Sequence, residues 1–332
     1  MKKNITILLL SLGLGVSACS KDRNTISKAD SPKLDAVAGM MVAKAPEAVA
    51  APAPVAVAQK PKDEELTDTV FKHTSAPRLQ SAIALIYDEQ AERPLYTKNA
   101  DNVAPIASIT KLMTAMVVLD AKLPMDEKVT VTADDADHLK NTHSRVRNGS
   151  VMTRGELLKI ALMASENKAA AALARTYPGG TKAAVAMMNN KALQLGMTST
   201  RFFDPTGLNS NNVSTAHDLV LMVRAAQYYD LIHKFTTTSA HTVQLAHHRP
   251  LQFHNTNPLV KNASWDIRLS KTGYISEAGR CLVMKANISK RPVIIVLLDS
   301  WGKRTRVGDA NRIKKWMESS TARATRFANR RS

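Results

Sequence analysis

Three short combinations in this sequence have the residue types and spacing to do chemistry together: Ser108-x-x-Lys111, Ser165-x-Asn167 and Lys271-Thr272-Gly273. The first lies within PIASITKLMTAMVVLD, residues 105–120, where apolar residues cover every face of the expected helix. A helix that is hydrophobic all round is a buried one, and lysine is almost never buried without a partner. Ser108 stands one turn before Lys111, and residues three apart on a helix are neighbours, so the amine can reach the hydroxyl. Burial, the positive end of the helix and a second cation nearby each disfavour the ammonium form. A neutral amine is a general base able to turn serine into a nucleophile. The chemistry on offer is acyl transfer.

Each combination taken alone has a plainer reading. A lysine in an apolar helix can pack its stem and snorkel its head to water. Ser165 and Asn167 are helix-capping residue types, and Lys271-Thr272-Gly273 could be an exposed strand end. Ser-x-x-Lys also recurs at Ser165/Lys168 and Ser300/Lys303, and Ser-x-Asn at Ser210/Asn212. Ser300-Trp-Gly-Lys303 follows an expected strand and reads as a turn, while Lys168 starts an alanine-rich helix where a solvated lysine is ordinary. Ser108/Lys111 differs from these by its place at the mouth of a buried helix.

In chain order, the three combinations resemble the signature of the active-site serine penicillin-recognising family. The runs SRVRNGS, ALMASEN, YPGG, LGMTSTRF, PTGL, VSTAHDL and LSKTG bring the resemblance closer, to the D-alanyl-D-alanine endopeptidases among the low-molecular-mass penicillin-binding proteins of Gram-negative bacteria. It covers about residues 78–318. Acyl transfer and the resemblance together imply the roles. Ser108 Oγ attacks a peptide carbonyl with Lys111 as base, and the backbone N–H groups of Ser108 and Tyr274 hold the oxyanion. Ser165 passes a proton to the departing amine, and Asn167 holds a substrate amide or the lysine. Lys271 and Thr272 meet the carboxyl region of the substrate, and Gly273 lets substrate lie beside the strand as an added one. The implied substrate is the D-alanyl to meso-diaminopimelyl cross-link of peptidoglycan, with β-lactams as covalent inhibitors and no cofactor or metal. Nothing in spacing selects the cross-link over a terminal D-alanine, so a D,D-carboxypeptidase is the alternative. Further rivals are a β-lactamase and a non-catalytic wall-binding or penicillin-sensing module. Glu166, in Ser-Glu-Asn, departs from the Ser-Asp-Asn of class A β-lactamases, which weakens the lactamase reading.

The elements that must position these residues follow from periodicity and turn signals. SAIALIYD and RPLYTKN read as a strand pair; SWDIRLSKTGYI, GRCLVMKANI and RPVIIVLLDS read as three more. Val293–Leu298 is continuously apolar, which suits a central strand covered on both faces. Between the two groups, Thr153 to Glu156 is a capping box and Thr215 to Asp218 resembles another, with Gly196 closing a long helix. Asp309 is expected to cap a final helix with Ile313, Trp316 and Met317 on one side. The fold class is α+β, with an all-helical lobe of about residues 120–235 inserted between strands. The resemblance implies an antiparallel five-stranded sheet of the DD-peptidase and β-lactamase type.

The ends of the 332-residue chain read differently. Residues 1–18 combine two lysines, a short apolar run and small residues, the pattern of a secretory signal too short to span a membrane. Val16-Ser17-Ala18-Cys19 looks like a bacterial lipobox, with ordinary cleavage after Ala18 as the alternative, and Ser20 points to the outer membrane facing the periplasm. Residues 19–77 are rich in Ala, Pro and Lys and read as a disordered tether, spanning ~40–45 Å as a random coil. Residues 319–332 read as a basic disordered tail. The formal charge of +18 would suit nucleic acid in the cytoplasm. On an exported chain it suits anionic wall polymer or lipid head groups, so no nucleic-acid partner is expected. Membrane contact is expected through the N-terminal lipid alone. Cys281 has no second cysteine in the folded region to pair with and reads as a small buried hydrophobe. His241, His247, His248 and His254 lack the spacing of a metal site.

Overall fold

The computed structural model of the chain describes residue 71 and residues 74–245 and 249–329. The expected signal segment, Cys19, most of the tether, His247, His248 and the last three residues lie outside the described residues. Five long strands form one antiparallel sheet: β1 (Ile83–Asp88), β2 (Arg93–Lys98), β3 (Asp266–Ile275), β4 (Gly279–Ile288) and β5 (Arg291–Ser300). Their order is β2-β1-β5-β4-β3, so the chain's last strand lies at the centre and β3, which carries Lys271-Thr272-Gly273, lies at an edge.

Strand alternation explains the apolar run in β5. Ile294, Val296 and Leu298 face one core, while Val293, Ile295 and Leu297 face the other. The first core is shared with the helices that fall between β2 and β3 in sequence. These are α1 (Lys111–Asp120), α2 (Arg154–Met163), α3 (Asn167–Arg175), α4 (Gly180–Gln194), α5 (Ala216–Ala226) and α6 (Asp230–Thr236). Residues 111–118 of α1 are all buried. Helix α2 opens on the Thr153/Glu156 capping box, α5 opens on Thr215 accepting the Asp218 amide, and Gly196, at φ +77°, ends the turn after α4. The inserted region is not purely helical: residues 128–130 pair with 151–153, and 240–243 with 251–254 flank it. These extended pieces are too short for alternation to announce them.

The second core lies under α7 (Thr305–Asn329), and here three expectations need correction. Asp309 is not the cap of this helix but sits inside its first turns. Its carboxylate accepts from the Gln80 and Ser81 amides at 2.8–3.1 Å and from the Ser81 hydroxyl at 2.6 Å, clamping the entry to β1. The expected disordered tail from residue 319 is helical to Asn329, because the buried stripe of Ile313, Trp316 and Met317 continues in small residues, Ser320 and Ala324. The tether expected up to residue 77 ends earlier. Phe71 packs on Trp316 with ring centroids 5.0 Å apart, and the Arg291 guanidinium lies over the Phe71 ring at 5.6 Å.

Against the upward push of burial, the Ser81 hydroxyl, the Gln80 and Ser81 amides and Arg312 hold the Asp309 carboxyl below its ordinary range. Asp309→Ala leaves those donors unpaired and is expected to destabilise the fold by about 3 kcal/mol. A urea unfolding midpoint measures this, and because the carboxyl titrates low, the loss should shrink as pH falls through the carboxylate range.

Candidate active site

The nucleophile candidate sits on a strained turn. Residues 107–110 form a 3-10 turn leading into α1, and Ala107 just before Ser108 has φ +47°, a left-handed conformation that costs energy for any residue with a Cβ. Two glycines press on this turn, one from a loop and one from the edge strand. A Cβ built on Gly207 would lie 1.9 Å from the Ala107 carbonyl oxygen, and one on Gly273 would lie 3.0 Å from Ala107 Cβ and 3.1 Å from Ser108 N. Neither position has room for a side chain, so β3 and the 204–212 loop both touch the backbone at Ser108.

Lys111 is buried at the first position of α1. Its Nζ donates to Ser108 Oγ at 2.8 Å, Asn167 Oδ1 at 2.7 Å and the Thr206 carbonyl at 2.6 Å. Burial brings the amine down to about 7, against the opposing pull of Asp204, Glu166 and Asp137. An ammonium has three N–H donors, and a neutral amine has two and a lone pair. Of its three partners, only Ser108 carries a proton to return. On deprotonation Asn167 Oδ1 and the Thr206 carbonyl keep the two N–H groups, and the lone pair is left facing the Ser108 hydroxyl. That is the geometry of a general base on serine.

Lys271 is the second buried amine, donating to Ser165 Oγ at 2.8 Å and to the Thr272 carbonyl at 2.9 Å. Burial, then the charges of Lys111 and Arg306, hold it well below the ordinary lysine range. Ser165 itself has φ +61°, a bend between α2 and α3 that aims its hydroxyl at Lys271. Thr272 Oγ1 exchanges a hydrogen bond of 2.6 Å with Thr256, and Tyr274 follows Gly273 with its ring largely exposed. Ser108, Lys111, Ser165, Asn167, Lys271 and Gly273 thus lie together, drawn from the turn into α1, the α2–α3 bend and the edge strand, while the Thr272 and Tyr274 side chains stand on the other face of that strand. Of the repeated patterns, Lys303 lies in the turn after β5, and Lys168 reaches outward to Asn148 Oδ1 at 2.8 Å.

Several residues of this cluster escaped the sequence reading. Asp204 accepts from the backbone amides of Thr206, Gly207 and Asn209 at 2.5–2.6 Å, which curls the loop so that the Thr206 carbonyl meets Lys111. Asn212 is fully buried; its side chain ties Phe203, Asp204 and Thr110, and its carbonyl accepts from Ile106 N at 3.0 Å. The second Ser-x-Asn pattern therefore supports the turn from behind. Arg306 on α7 donates to the carbonyls of Gly273 and Cys281 at 2.9 and 3.2 Å, and burial together with Arg280 brings it down to about 10. The Pro-Thr-Gly-Leu run at 205–208 and the second Ser-x-Asn pattern at Ser210/Asn212 are the sequence signals that fall on this loop. Cys281 is a buried thiol pushed up to about 11 by burial. Among the described residues, no group of three His, Cys, Asp or Glu side chains stands together to hold a metal ion.

The edge strand, the bent serine and the lysine-bonded serine define a serine hydrolase of the lysine-base type on an α+β frame. The chain belongs to the peptidase family whose model, described as D-alanyl-D-alanine carboxypeptidase, matches residues 70–302. It is 48% identical over 247 residues to a D-alanyl-D-alanine endopeptidase of Pseudomonas aeruginosa, covering 74% of this chain and 80% of that one. It is 47% identical to the protein of the same name from Escherichia coli, covering 74% and 79%. Among solved structures it is similar to the DD-transpeptidase of Streptomyces K15, with 29% identity, a TM-score of 0.69 and coverage of 74% of this chain and all of that one. A cefotaxime-bound penicillin-binding protein D2 from Listeria monocytogenes is similar at 28% identity with a TM-score of 0.65, covering 74% and 99%.

A base that titrates at about 7 fixes the sign of a pH profile. Acylation by a fluorescent penicillin should rise about tenfold per pH unit below 7 and level off above it. Stopped-flow labelling from pH 5 to 9 measures this; a rate that keeps climbing to pH 9 would show that the amine stays cationic.

Proposed function

We propose that this chain is a serine-type endopeptidase that cleaves D-alanyl to meso-diaminopimelyl cross-links in peptidoglycan and is acylated by β-lactams. The observation that carries the reading is the Lys111 amine, 2.8 Å from Ser108 Oγ with its other two contacts on proton acceptors. Lys111 takes the hydroxyl proton as Ser108 attacks the D-alanyl carbonyl. The backbone N–H groups of Ser108 and Tyr274 receive the oxyanion. Ser165, fed by the depressed amine of Lys271, protonates the departing nitrogen. The proton Lys111 took from Ser108 replaces the one that Ser165 and Lys271 gave up, so the amine is neutral again when water enters. Lys111 then takes a proton from the water and gives it to Ser108 Oγ as the acyl group leaves as a carboxylic acid. The two amines work as a pair: each is kept neutral part of the time by burial, so protons can move through the site without a charge being stranded.

The choice of bond is supported by the relatives named endopeptidase at 47–48% identity. The carboxypeptidase alternative is favoured by the family description and by relatives such as a D-alanyl-D-alanine carboxypeptidase of Bacillus subtilis at 32% identity. Purified cross-linked muropeptide dimers and pentapeptide monomers, incubated separately and read by mass, separate the two. Conversion of dimer to monomer is expected, and release of D-alanine alone would sink the endopeptidase reading. Ser108→Ala should lose both the cleavage and the penicillin label.

The proposed place of action is the periplasm, with the chain anchored to the outer membrane through a lipid on Cys19. The lipobox-like Val16 to Cys19 and the small residues at its end motivate this. Metabolic labelling with an alkyne fatty acid should mark the wild type and leave Cys19→Ala unmarked; equal labelling of both would remove the anchor.

A further inference from the structure

Strand β3 has two faces, and the chemistry above uses one of them. Gly273 pairs with Cys281, which belongs to the core under the helices, whereas Thr272 pairs with Leu282, which belongs to the core under α7. By alternation, Tyr274 shares the α7 face with Thr272. Tyr274 pairs with Arg280, and Arg280 pairs with Ser300 at the end of β5. Along this row lies an open cleft of about 200 Å³ lined by Tyr274, Arg280, Asp299, Trp301 and Lys303 among others. Trp301 is 82% exposed and Tyr274 56% exposed, and the Arg280 guanidinium lies 4.5 Å from the Tyr274 ring centroid. The cleft floor is tightly fitted: a Cβ on Gly279 would lie 2.6 Å from Asp299 Oδ1, and Asp299 has φ +47°. Two large exposed aromatic side chains with cations beside them offer both apolar area and positive charge to a ligand.

We propose that this cleft binds the departing stem peptide of a cross-linked substrate, an acidic peptide that continues beyond the scissile bond. The inference rests on the endopeptidase reading. In that reading Thr272 meets the carboxyl region of the substrate, so Tyr274, two residues on and on the same face, stands on the departing side. A departing D-alanine ends at its carboxylate and has nothing to place further on. A departing diaminopimelyl stem continues with methylenes and additional free carboxylates. The methylenes suit Trp301 and Tyr274, and the carboxylates suit Arg280 and Lys303. The Asp299 carboxylate, which also lines the cleft, sits where a Cβ on Gly279 would be. Contacts made only by the longer leaving group discriminate a cross-link from a terminal residue.

Two measurements test the cleft. Trp265 and Trp316 are buried, so acrylamide quenching of the wild-type protein reports Trp301. Adding the disaccharide tetrapeptide monomer should reduce that quenching, and no reduction would overturn the proposal. In the second, Trp301→Ala combined with Lys303→Glu should lower kcat/KM for the cross-linked dimer about tenfold, with penicillin acylation and D-alanine release from a pentapeptide unchanged. An unchanged dimer rate, or an equal fall in all three, would also overturn it. A wild type that releases D-alanine yet leaves dimers intact defeats the endopeptidase reading instead. The quenching result then decides the cleft by itself.

Discussion

Everything in the site depends on keeping one ammonium group out of water. The fall of Lys111 from 10.5 to about 7 corresponds to a cost on the order of 5 kcal/mol when the amine is charged. That cost is present in full below pH 7, shrinks as pH rises through the interval, and vanishes above 10.5, where the unfolded chain is also neutral. The three oxygen contacts offset part of it. They also direct it, because two of the three partners can only accept. The amine is therefore destabilised as a cation and oriented as a base by the same contacts.

The surroundings of that amine are built from the backbone more than from charged side chains. Thr206 contributes its carbonyl, Gly207 and Gly273 contribute the absence of a Cβ, and Ala107 contributes a left-handed turn. Asp204 shapes the loop through amides, and its charge reaches Lys111 only as an opposing pull. Such a cradle holds the serine and lysine in place through backbone geometry rather than through paired charges. It transmits any shift in the 204–212 loop directly to the reacting atoms. The backbone strain at Ala107 and Ser165 is concentrated where the two serines are aimed.

The edge position of β3 has a second consequence. An edge strand leaves backbone groups free for an added strand, and its alternating side chains divide what lies on either side. Lys271 and Gly273 lie against Ser165 and Ser108, while Thr272 and Tyr274 look toward α7 and the aromatic cleft. Because Arg306 spans the carbonyls of Gly273 and Cys281, α7 is fastened to the strand at the point where the two functions meet. The C-terminal helix is thus tied to the edge strand at the glycine that touches the Ser108 backbone.

Much of this was legible in the residues. Strand-type runs bounded by turn residues marked four of the long strands and a continuous apolar run marked β5, the Thr153 and Thr215 caps marked α2 and α5, and a lysine in a fully apolar helix marked the amine that meets Ser108. What escaped is what local pattern does not carry. Phe71 reads as part of a tether until Trp316, far along the chain, is beside it, and Ser320 and Ala324 read as tail because a stripe of small residues has little apolar signal. Asp309 looked like a cap because capping chemistry is local, whereas its partners, Gln80 and Ser81, are distant. The residue types and spacing alone determined the class of chemistry and the pairs of polar side chains that could perform it, since both are properties of neighbours on one helix or strand. Only the tertiary structure decided which carbonyl would hold the lysine, which asparagine would face it and which face of the edge strand would meet solvent, because those depend on segments brought together across the sheet.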